Sequence, residues 1–155
     1  MVNDALLFLF GLLVANAGEW AIHKYILHGL GRHKQSIWAY HWREHHAICL
    51  QNGMLDKGYQ HLSLKWNSQT KELVLIFLAV LSQLPFISMA FWYVAGIYVS
   101  IALYYYCHRK SHLDANWAKR YLPWHYAHHL GNIEDGNWCI TWPLFDFLMG
   151  TKRKY

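Results

Sequence analysis

Ten of the chain's 12 histidines fall in four short clusters. "HKYILH" carries His23 and His28, and "HWREHH" carries His41, His45 and His46. "HRKSH" carries His108 and His112, and "HYAHH" carries His125, His128 and His129. Imidazole at such spacing is a metal ligand in search of partners. On a helix, positions i, i+3 and i+4 share a face. His108 and His112 therefore point together, as do His125, His128 and His129. Neighbours such as His45 and His46, or His128 and His129, diverge by about 100° and can serve two metals. His23 and His28 stand at i, i+5, which suits a helix end. Four clusters, if they converge, supply enough ligands for two coordination spheres. Imidazole accepts Fe, Zn, Cu and Ni alike, so spacing alone predicts a pair of transition metals and does not choose between them. Glu19 precedes His23 by four residues, and Asp114 follows His112 by two. Both are candidate outer acceptors for a histidine N–H. His33 and His61 belong to no cluster and read as ordinary polar residues.

The elements that must position these rings are mostly apolar. The chain has 155 residues, enough for one domain over 1–155. It is 55% hydrophobic, 17% aromatic and 15% charged, with mean hydropathy +0.02. The charged share is well below the roughly 25% of soluble domains. Nine Trp and eleven Tyr suit a chain that meets lipid and a wet interface. With His neutral the net charge is +5, which in this context favours an anionic membrane surface; no nucleic-acid motif is present. Cys49, Cys107 and Cys139 form no CxxC pair and read as reduced thiols.

A first apolar helix begins near Ala5 and runs into the first histidine cluster without a basic leader or cleavage signal. Residues 29 to 70 are polar and aromatic, with turn signals such as "QNGMLDKG". Residues 73 to 107 carry no charge, which is long for one span of about 20 residues and short for two. Pro85 suits a turn within them, and a hairpin brings the later histidines back to the earlier ones. All 14 Lys and Arg lie in 24–71 or 109–154, which predicts that both histidine-bearing segments face the cytoplasm. The expected fold is all-α: an integral membrane bundle of about three to four membrane helices under a cytosolic histidine-rich helical cap. The basic end "TKRKY" reads as a solvated tail touching anionic headgroups.

"EWAIHKYILHG", "HWREHH", "YCHRKSHLD" and "HYAHHLGN…NWCITWPLFDFLMGT" resemble the membrane fatty acid hydroxylase/sterol desaturase superfamily, from about Glu19 to Thr151. "HKYILHG" is also similar to the carotenoid beta-ring hydroxylase branch. "HWREHH" has H-x3-HH where fatty acid hydroxylases more often have H-x2-HH. The resemblance implies a non-haem di-iron centre held by His23, His28, His41, His45, His46, His108, His112, His125, His128 and His129. It implies dioxygen as co-substrate and hydroxylation or desaturation of an unactivated C–H bond in a lipid drawn from the bilayer. Electrons would come from a separate donor, a ferredoxin or a cytochrome b5-like protein. Zinc can replace iron in such imidazole sites. Rival readings are a bis-His haem carrier and a metal-handling membrane protein. Haem needs single histidines within spanning helices, and residues 73 to 106 contain none.

Overall fold

The computed structural model describes residues 2–62, 65–131 and 135–154. Asn132 of the fourth motif and Tyr155 of the basic end lie outside them. Among the described residues the architecture is all-helical, with no strand.

Three long helices build the apolar half. α1 spans Val2–Ala21, α3 spans Ser68–Ser82 and α4 spans Phe91–Leu113. The run Val2–Arg32 and the helix with its 3₁₀ extension, Ser68–Phe86, are long and apolar enough to cross a membrane. α3 begins where the Asn67 side chain accepts from Thr70 N–H (2.9 Å), an N-cap. It ends in the 3₁₀ turn Leu84–Phe86, which contains Pro85. Pro85 has no N–H to continue the helical ladder, so the chain turns there and returns as α4. The expected turn at Pro85 is present, and the return brings Glu72 of α3 to His108 of α4.

α1 and α4 lie backbone to backbone. A Cβ added at Gly11 would collide with the Tyr93 carbonyl, and one added at Gly96 with the Phe8 carbonyl. Two glycines facing each other permit this close approach, as in small-residue helix pairs of membrane proteins. The outer faces remain apolar: Leu6, Phe10, Phe77, Leu78, Trp92 and Leu103 are all exposed.

The other end is built of short pieces. The first π-helix, Ile22–Gly29, continues α1 and carries His23 and His28. A second π-helix, His41–His46, leads into α2 (Ala47–Gln51). α5 (Ala115–Tyr121) and α6 (Pro123–Leu130) follow α4, and α7 (Leu144–Leu148) lies near the end. Asp114 caps α5 by accepting from Trp117 N–H (3.0 Å). Pro123 opens α6, where a missing N–H is harmless.

Candidate metal centre

All ten clustered histidines are buried, between 0 and 8% exposed, whereas His33 and His61 lie on the surface. The ten therefore form the interior of this end of the molecule. Imidazoles are seldom gathered in a core unless their nitrogens are satisfied.

Two quartets can each hold a metal ion: His23, His28, His41 and His46, and His45, His108, His112 and His129. In each quartet the ligand nitrogens lie within 4.8 Å of one another. His128 joins the first, with its Nε2 3.1 Å from Nε2 of His28. His125 joins the second, its Nε2 3.4 Å from Nε2 of His112. Each adjacent pair is divided between quartets: His45 and His46 part, and so do His128 and His129. Side chains one residue apart on a helix diverge, as the spacing predicts.

Both π-helices fall on histidine motifs. A π-turn closes i→i+5 and so holds one residue more than an α-turn. In "HKYILH" it brings His23 and His28, five apart, into one quartet, with ring centroids 4.9 Å apart. In "HWREHH" it brings His41 and His46, likewise five apart, into the same quartet, with ring centroids 4.9 Å apart. The i, i+5 spacing, read from the sequence as a helix end, is the repeat of this wider turn.

Outer hydrogen bonds fix how the rings present their nitrogens. His23 Nδ1 donates to the Trp138 carbonyl, His128 Nδ1 to that of Gly136 (2.9 Å), and His112 Nδ1 to that of Met54 (2.9 Å). Met54 holds a left-handed backbone (φ 84°), uncommon for a side chain of this kind, and so delivers its carbonyl to His112. His108 Nδ1 bonds the Glu72 carboxylate at 2.6 Å. A neutral ring that donates through Nδ1 keeps its lone pair on Nε2. These four rings therefore turn lone pairs inward.

Inside, Nε2 of His23 lies 3.0 Å from Nε2 of His41, and that of His28 3.2 Å from that of His46. His45, His129 and His108 each keep buried ring nitrogens with no hydrogen-bond partner. Converging lone pairs without donors are what a cation satisfies, so the residues fit a pair of metal ions. Burial, reinforced by neighbouring imidazoles, holds His41, His46, His125 and His129 well below the ordinary histidine value. Burial also lowers His128 to about 4, against the raising effect of the Gly136 carbonyl. The rings are therefore neutral near pH 7, the form that binds metal.

The proposed outer acceptors Glu19 and Asp114 are engaged elsewhere. Glu19 accepts from the backbone N–H groups of Ile140 and Thr141 and from the Thr141 hydroxyl (2.7 Å). It anchors the segment after the fourth cluster to α1 and hydrogen-bonds no histidine. Asp114 caps α5 and pairs with Lys110 at 3.2 Å. Sequence proximity misled at both places: the Glu19 carboxylate is taken up by the Ile140–Thr141 backbone, and Asp114, two residues past His112, lies beyond the end of α4 and caps α5. The carboxylates beside histidines are Glu72 and Asp56, the latter 3.7 Å from His45 Nδ1. Glu72 carried a signal: it is the last charge before the uncharged run, and a carboxylate within an apolar helix needs a partner. Asp146 is a further positioning residue. It accepts from Trp138 N–H (2.9 Å), Cys139 N–H (2.8 Å) and the Thr151 hydroxyl (2.7 Å). It thereby fixes the segment whose carbonyls orient His23 and His128.

A cavity of about 340 Å³ lies between α1, α3 and α4. Its walls are largely aliphatic, including Val14, Leu75, Ile76, Ile97 and Ile101. Its inner end reaches His23 and His41 of one quartet and His45 and His108 of the other. Comparison with family models, curated proteins and solved structures returned no match.

Proposed function

We propose that the chain is an integral-membrane, histidine-ligated di-iron oxygenase that hydroxylates or desaturates an alkyl lipid. The observation that carries this reading is one aliphatic cavity ending on both histidine quartets. A buffer of metal ions needs no such cavity, and a haem carrier has no use for two quartets. The sequence motifs from "EWAIHKYILHG" to "WPLFDFLMGT", similar to the fatty acid hydroxylase/sterol desaturase superfamily, point the same way.

Bound iron would supply dioxygen activation: two external electrons, two protons and O2 convert a C–H bond to an alcohol and one water, or a CH–CH pair to an alkene and two waters. The chain's own residues do the rest. The aliphatic walls align an alkyl chain and exclude water from its reacting end. Trp138, Gly136, Met54 and Glu72 hold the ligand rings in one tautomer. The exposed apolar faces of α1, α3 and α4 suit a bilayer, from which the substrate enters. The basic residues flanking these helices favour a cytoplasmic metal centre, within reach of a ferredoxin or a cytochrome b5-like donor.

Metal analysis of the purified chain, paired with lipidomics of an expressing host, tests the proposal. We expect close to two transition-metal ions per chain and an oxygen-dependent lipid product. The product disappears in His128→Ala. A chain that binds no metal, or one whose expression leaves every lipid unchanged, defeats the reading.

A further inference from the structure

The two quartets differ in what stands behind their rings. Glu72, buried on α3, joins two groups: Oε1 lies 2.6 Å from His108 Nδ1, and Oε2 accepts from the Tyr59 hydroxyl at 2.6 Å. Asp56, also buried, lies 3.7 Å from His45 Nδ1, while its other oxygen accepts from Gly58 N–H at 2.8 Å. His108 and His45 both belong to the second quartet. In the first, the outer partners of His23 and His128 are neutral backbone carbonyls. The nearby carboxylates of Glu19 and Asp146 are committed to backbone N–H groups and hydroxyls.

From this difference we infer that the quartet His45, His108, His112 and His129 is the tighter metal position and fills first, with Glu72 as its positioning residue. The inference rests on the metal-centre reading above. A carboxylate behind a ligand imidazole raises its basicity and fixes its orientation, and losing such a partner typically weakens metal binding by about 10- to 100-fold. Two buried carboxylates also offset a dication's charge where little water does so. Two dications held by neutral rings repel each other, so loading proceeds in two steps. The first ion goes where carboxylates stand directly behind the ligand rings. Tyr59 steadies Glu72 by holding the oxygen that His108 does not use.

The test uses the full chain, stripped of metal in detergent micelles and titrated with Co²⁺, read by visible absorption and by competition with Zn²⁺. The expected result is two steps, the first tighter by about 10-fold or more. Glu72→Gln weakens the first step by a similar factor and leaves the second unchanged, which also reports an intact fold. His28→Ala weakens only the second. Two equal steps overturn the inference but leave the metal centre standing. So does a Glu72→Gln chain with both steps unchanged, or loss of the tight step in His28→Ala. Absence of any bound cobalt overturns the metal centre itself. Should Glu72→Gln lose both steps through misfolding, Asp56→Asn, which lies outside α3, carries the test. It must weaken the tight step alone, and an unchanged tight step there overturns the inference.

Discussion

The two ends of the molecule are held together by opposite means. In the helical half, α1 and α4 meet through Gly11 and Gly96 with their backbones in contact, and the large side chains face outward. At the histidine end, ten imidazoles fill the interior and hydrogen bonds from loops and carboxylates hold them. The first half needs small residues and shape. The second relies on acceptors placed behind four of its rings: the Trp138, Met54 and Gly136 carbonyls and the Glu72 carboxylate. If the histidine end holds metal as proposed, a lost hydrogen bond there should weaken metal binding before it weakens folding, and in the helical half the order should be reversed.

The largest expected effect is acid. A buried imidazole accepts a proton less readily in the folded chain than in the unfolded one. His128 titrates near 4 when folded against an ordinary value of 6.5, and burial drives His41, His46, His125 and His129 lower too. Above 6.5 neither state binds these protons and the contribution is flat. As pH falls from 6.5 towards 4, the unfolded chain takes up protons that the folded chain refuses, so stability declines. Thermal unfolding of the metal-free chain across pH 4 to 8 checks this, and a Tm rising towards acid would refute it.

Next in size is Gly96→Leu, which breaks the helical half. Its side chain meets the Phe8 carbonyl and must push α1 from α4. We expect a loss of about 3 kcal/mol, at the upper end for overpacking, by unfolding in detergent. Metal affinity of the protein that stays folded should change little. A comparable loss of metal affinity would show that the two halves are not separable.

Asp146→Asn is the smaller, converse change. One oxygen becomes an NH2 that can no longer accept, leaving a buried backbone N–H of Trp138 or Cys139 unpaired, at a cost of about 1–3 kcal/mol. The carbonyls of Trp138 and Gly136 then lose their fixed positions. Metal bound by the quartet of His23 and His28 should weaken by about 10-fold, with the other quartet unaffected. Equal weakening at both would contradict the division drawn above.

Much of the site is legible in the residues. The division of His45 from His46, and of His128 from His129, follows from the angular step of a helix, and the hairpin follows from Pro85 within an uncharged run. The outer partners are less legible. Glu19 and Asp114 are near histidines in sequence yet serve the backbone of Ile140 and Thr141 and the start of α5. Glu72 lies 36 residues from His108 and Asp146 eight from Trp138, and no local periodicity joins either pair.

By itself the sequence determined which rings are available and which neighbours must diverge, because those depend on the covalent chain and on one helical turn. It also determined the apolar stretches and the basic flanks, which are properties of composition. Only the tertiary structure decided the membership of each quartet, the π-turns under "HKYILH" and "HWREHH", and the carboxylates behind the second quartet. Those depend on how four separated segments pack around one polar interior. The acceptor for a buried N–H is whichever group that packing brings within reach.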